Sequence, residues 1–319
     1  MSHAAADIAG LATVMNRERA SVRDVLARNG RRIEDFQAPR GGAALRYFLT
    51  VWGCVAVLAV LWRSLPGAAA LLLVPLLGVV QHAMLNIVHE ASHGLLLADR
   101  RAGDRLANLL AALPIAHTVA SYRVTHLDHH AFLRTERDPS GYVTRPDLTT
   151  ADIRRTVVFL LCGRLAWELA ARTLFGRRFQ IEASGDGAAL KATDRRRLVA
   201  VTLFHGVTLA LCAATGLAGF WIAWVVVLLT LTPALDGLRT LIEHRALPED
   251  VDFHTRSHHR SVVVSALMAP FFQYHWEHHL FPGVPHSRLV ELHRVLLEAG
   301  VPGAQPAAGG FVGVMLRVL

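Results

Sequence analysis

Apolar residues in this chain are concentrated in long uninterrupted segments, and the charged residues lie almost entirely between those segments. Four of the segments approach the roughly 20 residues that a helix needs to cross the hydrocarbon core of a bilayer. They cover residues 45–63, 67–88, 198–216 and 219–238. The pattern therefore predicts four transmembrane helices.

The breaks between these segments predict how the helices are connected. Arg63 to Pro66 separate the first pair of segments, and Leu217 and Ala218 separate the second pair. Breaks this short leave room only for tight turns. The four helices are therefore expected to form two hairpins.

The arginines predict how the hairpins are oriented in the membrane. Eight arginines lie between Arg17 and Arg46, before the first segment, and Arg195, Arg196 and Arg197 lie just before the third. Segments rich in arginine stay on the cytosolic side of a membrane. We therefore expect both termini and every long loop of this multi-pass membrane protein in the cytosol.

A further apolar stretch, residues 156–174, lies between the hairpins. It carries Arg164, Glu168 and Arg172 at spacings of four, so one polar stripe would run along an otherwise apolar helix. This pattern is typical of a helix that lies in the membrane interface. A fifth span remains the alternative, although it would bury three charges.

The predicted fold is all-α and integral to the membrane, with two helical hairpins and a cytosolic helical cap that carries the candidate chemistry. Three parts are expected along the chain. Residues 1–44 form a cytosolic N-terminal arm, residues 45–295 form the membrane domain, and residues 296–319 form a loose C-terminal tail.

Composition supports the membrane interpretation. Hydrophobic residues make up 53% of the chain and charged residues 18%, whereas about a quarter of the residues in a soluble domain are charged. The net charge is +8, but arginines flank the apolar segments and no nucleic-acid-binding motif occurs. Membrane lipids, and not nucleic acid, are therefore the expected partners. Cys54, Cys162 and Cys212 each lie in an apolar segment, which predicts buried, reduced thiols.

Histidine is the unusual residue type, with 18 copies, and eight of them form three clusters. The first cluster, His89 and His93, lies where the second apolar segment ends. The other two share the pattern HxxHH, whose spacings of three and four predict that all three imidazoles share one face of a helix. These two clusters consist of His126, His129 and His130, and of His275, His278 and His279.

Three clusters with this spacing predict a metal site. Neutral imidazole binds iron, zinc and copper, and four ligands already satisfy one zinc ion. Eight histidines therefore predict at least two metal ions. The clusters can meet because two further membrane crossings return the chain to the same side before the third cluster.

Other classes of metal protein use only part of this pattern. His89, Glu90 and His93 match the HExxH pattern of zinc proteases, which leaves the other two clusters unused. A metal transporter, or another non-catalytic metal-binding membrane protein, would place its ligands near the bilayer midplane, and these clusters lie outside the apolar segments. A di-haem cytochrome would need His82 and His205 to face each other within the membrane, which an optical spectrum would show.

On these motifs, the sequence resembles the membrane fatty acid desaturase and hydroxylase superfamily. The resemblance rests on HEASH at residues 89–93, on YRVTHLDHHAFLRTERDP from Tyr122, and on QYHWEHHLFPGVPHSRL from Gln273. It covers roughly residues 45–295, and the third motif is similar to that of bacterial acyl desaturases, which implies a location in a bacterial inner membrane. Family members more often have Asn where this chain has Gln273.

The resemblance implies a cytosolic pair of iron ions, Fe2+ or Fe3+, held by histidines. Such a centre uses O2 and external electrons to attack an unactivated C–H bond of a lipid or acyl substrate. Desaturation is the expected reaction, and hydroxylation of a lipid or natural-product substrate on the same scaffold is the alternative. The sequence has no HPGG haem motif of a fused cytochrome b5 domain, so a separate electron donor of ferredoxin type or similar is expected.

The resemblance also implies a further histidine after the last span, and His244 matches that position. Arg239 and Glu243 are four residues apart and are expected to pair, which would hold the end of this helix beside the metal. A competing set with similar spacing consists of His254, His258 and His259. This set lies in a charged segment that is expected to be a solvated loop, so His244 is preferred.

Polar residues next to the clusters have expected supporting roles. Glu90, Asp128 and Glu277 are placed to accept N–H bonds from metal-binding histidines, with simple solvation as the alternative. His82 and Asn86 share the helical face of His89, with His82 about 10 Å deeper in the second span. We expect both to line a substrate channel, and a hydrogen bond to a neighbouring helix is the alternative for His82.

Overall fold

The computed structural model describes residues 3–39, 41–163, 187–245, 255–258, 261 and 273–319. In these ranges the regular elements are helices, and the β contact is an isolated bridge between Ser257 and Tyr274. The fold is therefore all-α, as predicted. Its α-helices are α1 (His3–Arg28), α2 (Gly41–Ser64), α3 (Val74–Ser92), α4 (Arg100–Ala107), α5 (Val119–Phe132), α6 (Gly141–Thr144), α7 (Thr150–Leu161), α8 (Gly187–Ala214), α9 (Ala218–Leu229), α10 (Leu231–His244), α11 (His275–Leu280), α12 (His286–Glu298) and α13 (Gly310–Val318).

The helices long and apolar enough to cross a membrane match the four predicted spans. The second and fourth spans run further than the apolar pattern indicated, as far as Ser92 and His244. Their last turns carry His89 and His244. The four spanning segments are Gly42–Ser64, Gly67–Ser92, Arg195–Ala214 and Ala218–His244.

The spans differ in how far other helices cover them. Leu49 in α2 and Leu203 in α8 are each 65% exposed, whereas Met84 in α3 is fully buried. The second span is therefore central, and the first and third present apolar surface outward. The expectation of buried thiols is wrong for Cys54, which is exposed on α2, and for Cys162, which is exposed directly after α7, while Cys212 on α8 is half-buried.

The fourth span is broken at Thr230, where the backbone leaves the helical conformation between α9 and α10 (φ −125°, ψ −78°). Gln81 of α3 donates a hydrogen bond of 2.8 Å to the carbonyl of Trp224 and accepts one of 2.7 Å from the hydroxyl of Thr232. These two bonds tie the second span to both halves of the fourth. They help to fix the direction of α10, which ends at His244.

The N-terminal arm covers the third histidine cluster. α1 buries Met15, Val22 and Leu26, which lie on one helical face, against a core that includes Trp276 of α11 and Leu289 of α12. This second core, called the cap core below, is separate from the one formed by the spans. Part of the region expected as an arm therefore packs as a structural element of the cap.

The C-terminal region is not the loose tail that was expected over residues 296–319. Val314 and Val318 of α13 are buried in a third core with Leu241 and Ile242 of α10 and Ile153 of α7. The GAQPAAGG stretch suggested a loose tail, but the apolar residues after it form a helix that packs against the end of the fourth span.

The expected interfacial helix over residues 156–174 is described only in its first part. α7 ends at Leu161, and its side chains Val158 and Phe159 are 55% and 47% exposed. Arg164, Glu168 and Arg172 lie outside the described residues, so the choice between an interfacial helix and a fifth span stays a prediction.

Candidate metal centre

The nine histidines expected to bind metal come together in two groups. Within each group, one ring nitrogen from every member lies within 4.8 Å of those of the other members. The groups are adjacent, because the rings of His130 and His279 stack with centroids 4.1 Å apart. The first group consists of His89, His93, His126, His130 and His278, and the second of His129, His244, His275 and His279.

Each HxxHH cluster contributes to both groups. In α5, His126 and His130 belong to the first group and His129 belongs to the second. In α11, His275 and His279 belong to the second group and His278 belongs to the first. Successive residues differ by about 100° around a helix. Neighbours such as His129 and His130 therefore point into different groups, and only the pairs at a spacing of four share a group.

Some ring nitrogens have more close nitrogen neighbours than hydrogen bonding explains. The Nε2 atom of His126 lies 2.9 Å from that of His93 and 3.0 Å from that of His130. The Nε2 atom of His244 likewise has two such neighbours in the second group, at 2.8 and 3.1 Å. An imidazole nitrogen carries either one proton or one in-plane lone pair, so it forms one such bond and not two. A cation shared by several nitrogens accounts for both contacts.

The separations also fit metal coordination. Two nitrogens bound at right angles to one ion, with bonds of about 2.0–2.1 Å, lie about 2.9 Å apart. The close Nε2 separations in the two groups range from 2.8 to 3.1 Å. Both ring nitrogens of His279 are buried without a hydrogen-bond partner among the described residues. The donor set of each group therefore fits an ion that binds imidazole.

Burial favours the neutral form of these imidazoles, which is the form that binds metal. Burial, and then the neighbouring histidines, lower the pKa values of His126, His278 and His279 well below the ordinary value. Burial and the nearby guanidinium of Arg123 lower the pKa of His93 to about 4. Metal binding would therefore displace few protons from these rings.

The two groups differ in their exposure. All four histidines of the second group are buried, whereas His93 and His130 of the first group are only partly buried. The first group therefore lies closer to the surface, and the second is enclosed by protein.

Asp138 is not among the residues expected from the sequence, yet it supports the second group. The Nδ1 atom of His129 lies 2.8 Å from its carboxylate, which directs Nε2 of the same ring toward His244. Asp138 also accepts bonds from the backbone N–H of Arg134 and the hydroxyl of Thr144. Burial opposes ionisation, but His129 and these bonds hold the pKa of Asp138 below its ordinary value.

The expected partners of Glu90 and Glu277 need correction. The carboxylate of Glu90 lies 3.2 Å from Nδ1 of His286, and that of Glu277 lies 2.5 Å from Nδ1 of His293. Both partners belong to α12 and not to the metal-binding clusters, because the two carboxylates point from their own helices toward α12. The role expected of Asp128, which is half-buried on α5, stays a prediction.

His286 is also in contact with the first group. Its ring stacks on that of His89 at a centroid distance of 4.9 Å and an angle of 11° between planes. Its backbone N–H donates to Glu90 at 3.2 Å. The sequence carries no ligand spacing for His286, so only the packing of α12 against the end of the second span reveals this contact.

Arg239 and Glu243 lie at the end of the fourth span, as expected. Nε of Arg239 is 3.4 Å from the carboxylate of Glu243, and the Arg239 guanidinium is also 3.1 Å from Asp236. The same Glu243 oxygen lies 3.5 Å from Nε2 of His275. The ion pair therefore stands directly beside a member of the second group.

His82 and Asn86 are both buried in the second span. A small cavity is lined by Asn86 and Glu90 together with Tyr47 and other residues, and His82 is not part of that lining. The expected role of both residues in a substrate channel stays a prediction.

The competing histidine set does not join either group as far as it is described. His258 is only 2% exposed and its ring lies 5.8 Å from that of Phe311, so the expectation of a solvated side chain is wrong for this residue. It is buried because α13 packs over it. His254 and His259 lie outside the described residues.

Comparisons with known proteins agree with this geometry. The sequence model of the family described as fatty acid desaturase matches residues 66–307, which include both histidine groups. The chain is also 26% identical over 282 residues to the dihydrorhizobitoxine desaturase of Bradyrhizobium elkanii, covering 82% of this chain and 76% of that protein.

Proposed function

Because the chain belongs to the fatty acid desaturase family, we propose that it is a membrane-bound non-haem oxidoreductase with two iron ions. It would use O2 and external electrons to desaturate a fatty acyl or other lipid chain. The observation that carries this proposal is the convergence of nine histidines into groups of five and four. Two adjacent groups of imidazoles suit two ions better than one.

The chain's own residues would hold the centre and shape its surroundings. His89 and His244 lie at the ends of two membrane helices and His93 directly follows the first of these, and α5 and α11 would supply the other six ligands. When bound, the iron pair supplies the activation of O2 toward an unactivated C–H bond. Asp138 holds the Nδ1 proton of His129, which leaves Nε2 of that ring as the metal-binding atom.

The reaction requires electrons from outside the substrate. Desaturation removes two hydrogens from the chain while O2 is reduced to two molecules of water. The balance requires two further electrons and two protons for each double bond. A separate one-electron carrier of ferredoxin type is therefore part of the proposal.

The location in the cell belongs to the same proposal. With four spans and arginine-rich flanks, both termini and the histidine groups would face the cytosol of a bacterial inner membrane. The membrane domain would comprise residues 45–295, preceded by the cap-forming arm over residues 1–44.

Desaturation is preferred to hydroxylation because of the relative from Bradyrhizobium elkanii, which is named a desaturase. The two reactions share the same ligands and differ in how the substrate carbon is placed. Mass spectrometry of lipid and small-molecule extracts from cells with and without the gene distinguishes them. Loss of two hydrogens from a product supports desaturation, and gain of one oxygen atom supports the hydroxylase alternative.

The metal content provides an independent test. The purified chain, expressed with iron, should hold two irons per polypeptide and no haem. The His205→Ala variant is a matched control, because His205 lies within the third span, outside both groups. One zinc ion per chain, with no product in the extracts, would contradict the proposal.

A further inference from the structure

A bonded route leads from the enclosed second histidine group to the surface of the N-terminal helix. His279 is joined by one peptide bond to Leu280, and the carbonyl of Leu280 accepts a hydrogen bond of 2.7 Å from Nε of Arg19. Arg19 belongs to α1, whose opposite face is open to solvent. One peptide unit and one hydrogen bond therefore connect a member of the second group to a surface helix.

The surface at the end of this route is basic. Residues 10–32 contain six arginines and only two acidic residues. Arg23 and Arg28 are exposed on α1, and neither has a carboxylate partner within salt-bridge distance in the described ranges. Arg23 also lies close enough to Arg19 for their like charges to interact. A surface of this kind attracts a negatively charged protein.

Resting on the function proposed above, we propose that the exposed surface of α1 that carries Arg23 and Arg28 is the docking surface of an acidic one-electron carrier of ferredoxin type. Each docking passes one electron toward the histidine groups and oxidises the carrier by one electron. Two successive dockings supply the two external electrons that each turnover requires, and the other two electrons that reduce O2 to water come from the substrate. The route through Arg19 and Leu280 enters at the second group, which is enclosed and has no partly exposed histidine.

An anionic lipid surface is the other negatively charged partner to consider. α1 packs against α11 and α12 in the cap, and its buried face is occupied by the cap core. Over residues 12–28, where its side chains are described, the helix therefore has no free apolar face with which to enter a bilayer, as membrane-bound amphipathic helices do. An acidic protein is the partner that this geometry favours.

The test measures binding of a reduced plant-type [2Fe–2S] ferredoxin to the full chain in nanodiscs of uncharged lipid. Reversing two charges with Arg23→Glu and Arg28→Glu should raise the Kd by about tenfold or more, because close like charges across an interface are unfavourable. Binding to the unchanged chain should weaken as salt is added. The matched control is the double variant Arg101→Glu with Arg105→Glu. Both arginines are exposed on α4, which packs against α3. The Kd of this control for ferredoxin should equal that of the unchanged chain.

Turnover separates this proposal from the proposed function. With dithionite as the reductant, the α1 variant should form product as fast as the unchanged chain, whereas ferredoxin-driven turnover should fall. Equal ferredoxin affinity in the α1 variant and the unchanged chain, or equal loss in the α4 control, would overturn the docking surface. Absence of product from the unchanged chain with either reductant would instead contradict the proposed desaturase activity.

Discussion

At the scale of single residues, the two histidine groups depend on side chains from distant parts of the sequence. His244 is the clearest case, because it comes from the end of the fourth span and lies 2.8 Å from His275 and 3.1 Å from His129. It is the member of the second group that belongs to none of the three clusters.

We expect His244→Ala to lower the iron content and abolish activity, because the second group would be left with three imidazoles. The measurement is iron per polypeptide on the purified variant, alongside product formation. His258→Ala is the control from the competing set and should keep both irons. Its burial beside Phe311 predicts some loss of thermal stability without loss of metal. If the His258 variant loses iron while the His244 variant retains it, the assignment of the ninth ligand is wrong.

Asp138 acts on the metal through His129. Asp138→Asn keeps the size of the side chain but removes the charge that holds the Nδ1 proton, so the affinity of the second group for metal should fall about 10- to 100-fold. Competition with a chelator of known affinity measures this change. Asp147→Asn is a matched control, since Asp147 has a side chain 70% exposed in the same region of the chain. Equal metal retention in both variants would show that Asp138 has no such role.

At the scale of elements, the position of α11 is set by close packing around Trp276. This ring is fully buried in the cap core, between His275 and Glu277 in sequence. A Cβ atom added at Gly303 would overlap Cε2 of the ring, so only glycine fits there. The short turn at residues 302–304 therefore packs directly against α11 and limits its position.

Gly303→Ala should displace Trp276 and with it α11. Overpacking of this kind costs about 1–3 kcal/mol, which thermal unfolding in detergent would detect. Because α11 supplies histidines to both groups, the iron content should fall as well. Gly283→Ala is the control, as its nearest neighbour, Gln37, would lie at an ordinary contact distance of 3.5 Å. Unchanged stability and iron content in the Gly303 variant would contradict this account of α11.

α12 is the element that joins the cap to the membrane helices. Its His286 pairs with Glu90 of the second span, and its His293 pairs with Glu277 of α11. Two carboxylate–imidazole pairs therefore connect the first and third clusters through one helix. This connection explains why α12 packs directly beside the first histidine group.

At the scale of the whole molecule, the convergence of the three clusters requires that all of them lie on one side of the membrane. In the part of the chain that the structure describes, two spans lie between the first and third clusters, which is an even number of crossings. The convergence of all three clusters in the structure agrees with that count. An odd number would have placed the clusters on opposite sides.

Reporter fusions provide the test of orientation. Fusions at both termini should report from the cytosol, because arginine-rich segments precede the first and third spans. Fusions near Pro66 and Leu217, in the two tight turns, should report from the opposite side. A C-terminal reporter on the side of those turns would contradict the proposed cytosolic location.

Local pattern was sufficient for the spans and for the residues that gather at the candidate site. An apolar run of the right length indicates a membrane helix whatever surrounds it, and a spacing of three or four places histidines on related faces of a helix. For this reason the pattern of the sequence identified four spans and eight of the nine histidines of the two groups. His244 needed the family resemblance as well, because a single histidine has no spacing of its own.

Contacts between distant segments were decided only by the tertiary structure. The division of each HxxHH cluster between two groups depends on how α5 and α11 face each other, and the pairing of Asp138 with His129 depends on the turn after α5. The same holds for the α12 partners of Glu90 and Glu277 and for the docking of α13 over His258. Periodicity in the sequence specifies which face of a helix a residue occupies. It carries no information on which distant element will cover that face, because that choice depends on the packing of the whole chain.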